Sequence, residues 1–228
     1  MYWGYDSTYL LLIIGMIISA AASARLNNVY KKYRRVRSAS GLTGAEAAQR
    51  ILRAAGISDV SIGMVNGSLS DHYDPISKRV NLSREVYEGT SLASVGVAAH
   101  ECGHAIQHAV NYFPLNFRSA IVPIANIGSS LSWPIFLVGL IASFGPLVVA
   151  GILLFSLAVL FQLITLPVEF NASKRALQML GSTGILSEQE KSGAKAVLQA
   201  AALTYVAALV ASILQLLRLV ALSRRRRR

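Results

Sequence analysis

Four apolar runs divide the chain, and each is close to the length that a membrane-spanning helix requires. They are residues 9–24, 119–143, 147–166 and 196–222. Gly145-Pro146, which separates the second run from the third, is typical of a tight turn. The pattern predicts a first transmembrane helix, a transmembrane helical hairpin and a last apolar helix.

The first apolar run differs from a secretory signal peptide in its charge. A signal peptide carries positive charge before its apolar stretch, whereas here the basic residues follow it. They are Arg25, Lys31, Lys32, Arg34, Arg35 and Arg37. Tyr2, Trp3 and Tyr5 are aromatic residues of the kind that lies at a membrane interface. We therefore expect an uncleaved transmembrane helix.

The polar stretch between the first two apolar runs has the pattern of a small α+β domain. Thr43 and Glu46 form a capping box, which predicts a helix that ends at Gly56. Residues 60–65 and 79–82 alternate between apolar and polar side chains and predict two short strands.

Two helices are expected after these strands. Asp74-Pro75 predicts a turn between the strands, and Ser83 is expected to cap a short helix. A longer helix is expected from about Ser91 to Val110. The longer helix carries the candidate chemistry of the chain.

The longer helix contains His100-Glu101-Cys102-Gly103-His104, a match to H-E-x-x-H. Side chains four residues apart lie on one face of a helix, so His100 and His104 can direct imidazole nitrogens at the same zinc ion. Glu101 can act as general base toward a zinc-bound water. Cys102 lies off the face of the two histidines, and we interpret it as a packing residue.

A catalytic zinc commonly has three protein ligands, so one more is needed. His108 is unsuitable, because at about 1.5 Å per residue it lies roughly 12 Å from His100 along the helix. Glu169, directly after the hairpin, is a candidate, since a carboxylate at a membrane border is costly unless it is paired or binds a ligand. An ion pair with Lys174 or Arg175 would explain it equally well. Two spans separate Glu169 from the H-E-x-x-H helix, so both emerge on the same side of the bilayer.

The composition supports a membrane protein and argues against a nucleic-acid-binding protein. Charged residues are 14% of the 228 residues, whereas soluble domains contain about 25%. The net charge is +11, but the basic residues lie beside apolar runs and in the tail, where they would meet anionic lipid headgroups. With one cysteine, Cys102, the chain cannot form an intrachain disulfide.

Five segments, taken in order, resemble the YugP-type neutral zinc metallopeptidases of bacterial membranes, and the resemblance extends over nearly the whole chain. They are residues 41–44, 71–75, 97–108, 123–129 and 167–173. More distantly, the chain is similar to the HtpX-type membrane peptidases. In those proteins an E-x-x-A-D motif after a hydrophobic hairpin supplies the third zinc ligand.

The resemblance implies that Glu169, which matches the Glu of that motif, is the third zinc ligand beside His100 and His104. Ser173 stands where the motif has Asp, so the role of that Asp does not carry over. Asn171 stands where the YugP-type pattern has Asp, which leaves its role open.

The resemblance also implies an extended edge strand that precedes the zinc helix and pairs with the substrate backbone. His72 or Tyr73 would lie there and could stabilise the oxyanion of the tetrahedral intermediate. Arg175 is a further oxyanion candidate. The alternatives are that His72 is a histidine of a turn, that Tyr73 is an aromatic residue of the core, and that Arg175 lies at the membrane interface.

The expected fold is a mainly α membrane protein with three or four transmembrane helices and a small α+β metallopeptidase domain of zincin-like, gluzincin type. The expected divisions are an N-terminal transmembrane helix (1–25), the metallopeptidase domain (26–118), a helical hairpin (119–166), a segment with the third zinc ligand (167–195), and an apolar helix with an arginine-rich tail (196–228).

The expected function is that of a zinc-dependent endopeptidase of the cell membrane, with a peptide or protein substrate that could itself be a membrane protein. The alternative is a non-catalytic membrane scaffold with a structural zinc site, which a fourth protein ligand such as His72 would favour. A third hypothesis places H-E-x-x-H inside a span, but the polar residues of 94–110 indicate a surface site.

The basic residues predict a cytoplasmic active site by the positive-inside rule. Five arginines, residues 224–228, would oppose this orientation if the chain crosses four times. Eleven basic residues are expected on the side of the active site: Arg25, Lys31, Lys32, Arg34, Arg35, Arg37, Arg118, Lys174, Arg175, Lys191 and Lys195.

Overall fold

The computed structural model describes residues 8–67 and 69–225. Tyr2, Trp3, Tyr5 and the last three arginines of the tail, for which roles were expected from the sequence, lie outside the described residues. The helices are α1 (Tyr9–Tyr33), α2 (Gly44–Ala54), α3 (Arg84–Glu88), α4 (Leu92–Ala109), α5 (Phe113–Ile141), α6 (Gly145–Ser182) and α7 (Glu188–Arg225). The strands are β1 (Ser61–Val65), β2 (His72–Asp74) and β3 (Arg79–Ser83). The prediction of a mainly helical protein with a small sheet is confirmed.

The chain divides into two compact units. The first, which we call the helical unit, comprises the described residues of Met1–Ser23, Phe117–Leu166 and Leu203–Arg228. The second, the mixed unit, comprises the described residues of Ala24–Asn116 and Pro167–Ala202. All three strands and the H-E-x-x-H helix belong to the mixed unit.

Within the described residues, four helices (α1, α5, α6 and α7) are long and apolar enough to cross a membrane. In the most apolar 18-residue stretch of each helix, between 6% and 28% is buried inside the protein. Most of this apolar surface therefore faces outward. The helical unit has a small core around Phe136, Val148 and Leu219. A Cβ atom at Gly151 would lie 2.7 Å from Cβ of Phe136, which shows how closely the hairpin helices approach each other.

All four long helices extend beyond the apolar runs that predict them: α1 continues to Tyr33, and α7 begins at Glu188 and continues to Arg225. Helix α5 begins at Phe113 and contains Pro123 and Pro134, and α6 continues through Pro167 as far as Ser182. The polar residues that follow Leu166 are therefore a direct helical continuation of the hairpin. Glu169 is the third residue of this helical continuation.

The sheet of the mixed unit has the strand order β1-β3-β2. Strand β3 is central, pairing in parallel with β1 and antiparallel with β2. Val80 and Leu82 of β3 are fully buried and pack with Ile51 of α2 and Val95 of α4 in one core. Strand β2 is at one edge of the sheet, and α4 packs against it.

Local capping explains the start of two helices of the mixed unit. Both hydrogen bonds of the capping box between Thr43 and Glu46 are present at α2, and the Ser91 side chain accepts from the backbone N–H of Ser94 at α4. Ser83 is the N-cap residue of α3, as predicted, but its side chain makes no capping hydrogen bond. Its hydroxyl donates instead to the Asp71 carboxylate, which also accepts from the Ser83 backbone N–H at 2.7 Å.

Candidate metal centre

Helix α4 and helix α6 bring two histidines and one glutamate together. His100 and His104 lie one turn apart on α4, and Glu169 faces them from α6. Nε2 of His100 is 3.2 Å from Oε2 of Glu169, and Nε2 of His104 is 3.7 Å from the same oxygen. One ligand atom from each of the three side chains lies within 4.8 Å of the others. The Glu169 carboxylate thus faces the two imidazoles.

Close contact between the helix backbones makes this geometry possible. A Cβ atom at Gly103, between the two histidines in sequence, would lie 2.4 Å from the carbonyl oxygen of Ala172. Real Cβ atoms essentially never approach a neighbour within 3.0 Å. Only glycine at this position allows α6 to approach α4 closely enough for Glu169 to reach both histidines.

The second nitrogen of each histidine ring is held by a neutral partner. Nδ1 of His104 is 3.0 Å from Oε1 of Gln107, an acceptor, so Nδ1 carries the proton. Nδ1 of His100 is 3.2 Å from the Ser173 hydroxyl. These contacts fix the ring orientations and leave Nε2 of both histidines directed at Glu169, the arrangement that partners of metal-binding histidines usually produce.

Gln107 connects His104 to helix α6. Its side chain is 0% exposed, and its amide donates to the Val168 carbonyl at 2.8 Å and to Oδ1 of Asn171 at 3.0 Å. Nε of Arg175 donates to the same Asn171 oxygen at 2.8 Å. The buried amide therefore links one histidine to a polar cluster on the helix that carries Glu169.

The electrostatics of the group favour positive charge. Burial by itself lowers the pKa of His104, but the hydrogen bond to Glu169 and the negative charges of Glu101 and Glu169 outweigh burial and raise this pKa. A site that stabilises a protonated imidazole also favours a metal cation, which displaces that proton. Two imidazoles and a carboxylate form the ligand set of many catalytic zinc sites. The residues present therefore fit a zinc ion.

Two neighbours of the histidines in the motif have different environments. Glu101 is buried on α4 beside His100. Cys102 is fully buried in the core, with its thiol 3.6 Å from the Ala48 carbonyl, and burial raises the pKa of its thiol. A thiol held in its neutral form is a poor nucleophile, which agrees with a packing role for Cys102.

The candidate oxyanion residues make other contacts. Nδ1 of His72 lies 2.8 Å from the Ser70 carbonyl, and its Nε2 lies 3.2 Å from the Asn81 amide. The Tyr73 hydroxyl lies 2.7 Å from Nδ1 of His108. His72 is not a member of the metal-ligand group found among the described residues, so the fourth ligand that a structural zinc site would need is not supplied there by His72.

Arg175 has two contacts inside the mixed unit. Besides the hydrogen bond to Asn171, its guanidinium carbon lies 5.9 Å from the centre of the Tyr112 ring. The expected roles of His72, Tyr73 and Arg175 in oxyanion stabilisation remain predictions.

The sequence did not predict that Gln107 links His104 to α6, and it assigned no role to Ser173 or Asn171. A signal for Gln107 was present, since it follows His104 by three residues and so shares its helix face. No sequence signal shows that the amide points at α6, because that contact joins residues 61 positions apart.

Comparison with known proteins identifies a family and a relative. A protein family described as "Putative neutral zinc metallopeptidase" matches residues 8–224. A Bacillus subtilis protein named "Putative membrane protease YugP" is 47% identical over 210 residues, which cover 92% of this chain and 93% of that protein. No solved structure gave a significant match.

Proposed function

The chain belongs to the neutral zinc metallopeptidase family, and from that premise we propose that it is a membrane-embedded, zinc-dependent endopeptidase. The observation that carries the proposal is the group of His100, His104 and Glu169 across α4 and α6. These three side chains would hold a zinc ion, and three protein ligands are the usual number in catalytic zinc sites. The buried Glu101 adjoins them in sequence.

Each side chain of the site has a definite role in this proposal. Zinc, when bound, supplies a Lewis acid that lowers the pKa of a coordinated water to about 7. Glu101 accepts a proton as general base and passes it to the leaving amine. Gln107 and Ser173 hold the two imidazoles in the orientation that directs Nε2 at the metal.

Strand β2 is the proposed docking edge for the substrate. It pairs with β3 along one side, and among the described residues no strand pairs with its other side. An extended peptide can add to such an edge through backbone hydrogen bonds. Helix α4 packs against β2, so a peptide on this edge would lie beside the zinc helix.

The proposed location is the cell membrane, with several spans and the active site on the cytoplasmic side. Four helices have the required length and apolar composition, and the relative from Bacillus subtilis is named a membrane protease. The orientation follows from the excess of basic residues in the polar segments that flank the spans.

The experiment that tests the proposal compares two glutamate variants in purified protein, by zinc content and by hydrolysis of an unstructured peptide. Glu101→Gln should retain about one zinc per chain and lose hydrolysis, because it removes the general base and spares the ligands. Glu169→Ala should lose zinc as well as hydrolysis. Hydrolysis retained in Glu101→Gln would refute the mechanism, and zinc retained in Glu169→Ala would refute the ligand set.

A further inference from the structure

The turn between β2 and β3 exposes an apolar tip. Asp74 is followed by Pro75 and Ile76, and the Ile76 side chain is 95% exposed, the highest exposure among the large apolar side chains described. An isoleucine at the tip of a tight turn has no packing role within the protein, and its full exposure to water is unfavourable.

Internal hydrogen bonds hold this turn in shape. Oδ1 of Asp74 accepts from the Ile76 backbone N–H at 2.9 Å, and Oδ2 accepts from the Ser77 hydroxyl at 2.6 Å. Lys78 adopts a positive φ of 48° and its ammonium group pairs with Asp59. The turn is therefore ordered before the Ile76 side chain meets any partner, which keeps the entropic cost of a contact through this side chain low.

Contacts inside the mixed unit show at which end of it the tip lies. The Tyr73 hydroxyl binds His108 in the last turn of α4, so the turn that follows β2 lies at the carboxyl end of α4. At the same end, Gln107 contacts Val168, the second residue of the mixed unit after the chain leaves the apolar arm of the hairpin. The opposite end of β2 is fixed by the contact of Asp71 with Ser83.

The carboxyl end of α4 is thus close along the chain to Asn116, the last residue of the mixed unit before the second apolar run. Helix α4 ends at Ala109, and the next helix, a candidate span, begins at Phe113. Val110 and Phe113 are 55% and 72% exposed. The apolar tip and these two side chains share this end, and the basic Arg79 is exposed directly after the turn.

We propose that the Pro75–Ile76 tip inserts into the lipid surface, at the boundary between the headgroups and the acyl chains. This rests on the membrane location proposed above and adds a lipid-contacting residue outside the spans. Apolar side chains with basic neighbours are typical of such interfacial contacts. The contact would hold the carboxyl end of β2, and with it the proposed substrate edge, against the membrane surface.

Spin labelling of the full-length protein in phosphatidylglycerol and phosphatidylethanolamine vesicles tests the proposal. Ile76→Cys carries the nitroxide, and two other variants serve as controls. Ile17→Cys marks the lipid-facing surface of α1, and Arg84→Cys marks water at the far end of β3, roughly 13 Å of strand away. Cys102 is fully buried, so the unsubstituted chain should take up no label and serves as the labelling blank.

The measurement compares collision of each label with oxygen, which concentrates in lipid, and with a water-soluble nickel complex. We expect the labels at Ile76 and Ile17 to collide more with oxygen, and the label at Arg84 to collide more with nickel. A nickel-accessible label at Ile76 beside a lipid-exposed label at Ile17 would overturn the tip insertion and leave the membrane location intact. A label at Ile76 shielded from both reagents would also overturn it, because protein, such as a second copy, would then cover the tip. A nickel-accessible label at Ile17 would refute the membrane location itself.

Discussion

Gly103→Ala is the substitution that most directly tests how the metal centre is assembled. The added Cβ would lie 2.4 Å from the Ala172 carbonyl oxygen, and no real Cβ lies closer than 3.0 Å to such an atom, so α6 would have to retreat by about 0.6 Å. Metal–ligand distances tolerate only about ±0.2 Å. The retreat would carry Glu169 away from His100 and His104. We expect zinc affinity to fall by about 10–100-fold, the range found when the groups that orient metal ligands are removed.

The control for this substitution is Gly96→Ala on the same helix. Its Cβ would meet the Cβ of Ala194 at 3.3 Å, a side-chain contact that a small adjustment relieves. Both substitutions gain helix propensity, by about 1 kcal/mol at most, so this gain cancels in the comparison. Zinc affinity is measured by competition with a chromophoric chelator, and circular dichroism checks helix content. Equal zinc affinity in the two variants would show that the close approach of α4 and α6 does not set the ligand geometry.

Two further predictions concern side chains that support the site. Gln107→Leu keeps the volume of the side chain but removes its hydrogen bond to His104, so zinc affinity measured by the same competition should fall by about 10–100-fold; an unchanged affinity would rule out a positioning role. Burial raises the pKa of Asp71, although its hydrogen bonds with Ser83 act against this. The folded protein therefore holds this proton more tightly than the unfolded chain. The parent should lose free energy of unfolding relative to Asp71→Asn as pH rises above about 3.9, the ordinary Asp pKa. Urea unfolding at several pH values measures this difference, and parallel stability curves would contradict the prediction.

The metal centre is built so that neutral groups orient the histidines. Ser173 stands at the position where the HtpX-type motif has Asp, and its hydroxyl contacts Nδ1 of His100. Gln107 does the same for His104. The carboxylate that lies close to both Nε2 atoms is that of Glu169.

Periodicity and local capping in the sequence determined most of the secondary structure. The capping box of Thr43 and Glu46, the two strands predicted at 60–65 and 79–82 and the start of α4 after Ser91 are all present. These features depend on residues a few positions apart, whose interactions form without the rest of the fold. The spacing of His100 and His104 is local in the same sense, since one helical turn places both on one face.

Tertiary structure decided what depends on residues distant in sequence. The side chain of Ser83 is a local N-cap candidate, but its hydroxyl donates a hydrogen bond to the Asp71 carboxylate instead. Pairing of β2 with β3 brings this carboxylate near. The sequence leaves Glu169 equally suited to pair with nearby cations or to face the histidines, and in the structure its carboxylate lies 3.2 Å from Nε2 of His100. That placement depends on the backbone contact of Gly103 with Ala172 and on the buried amide of Gln107. Such contacts have no periodic signature, because they come from the packing of two helices whose sequences are separated by a hairpin.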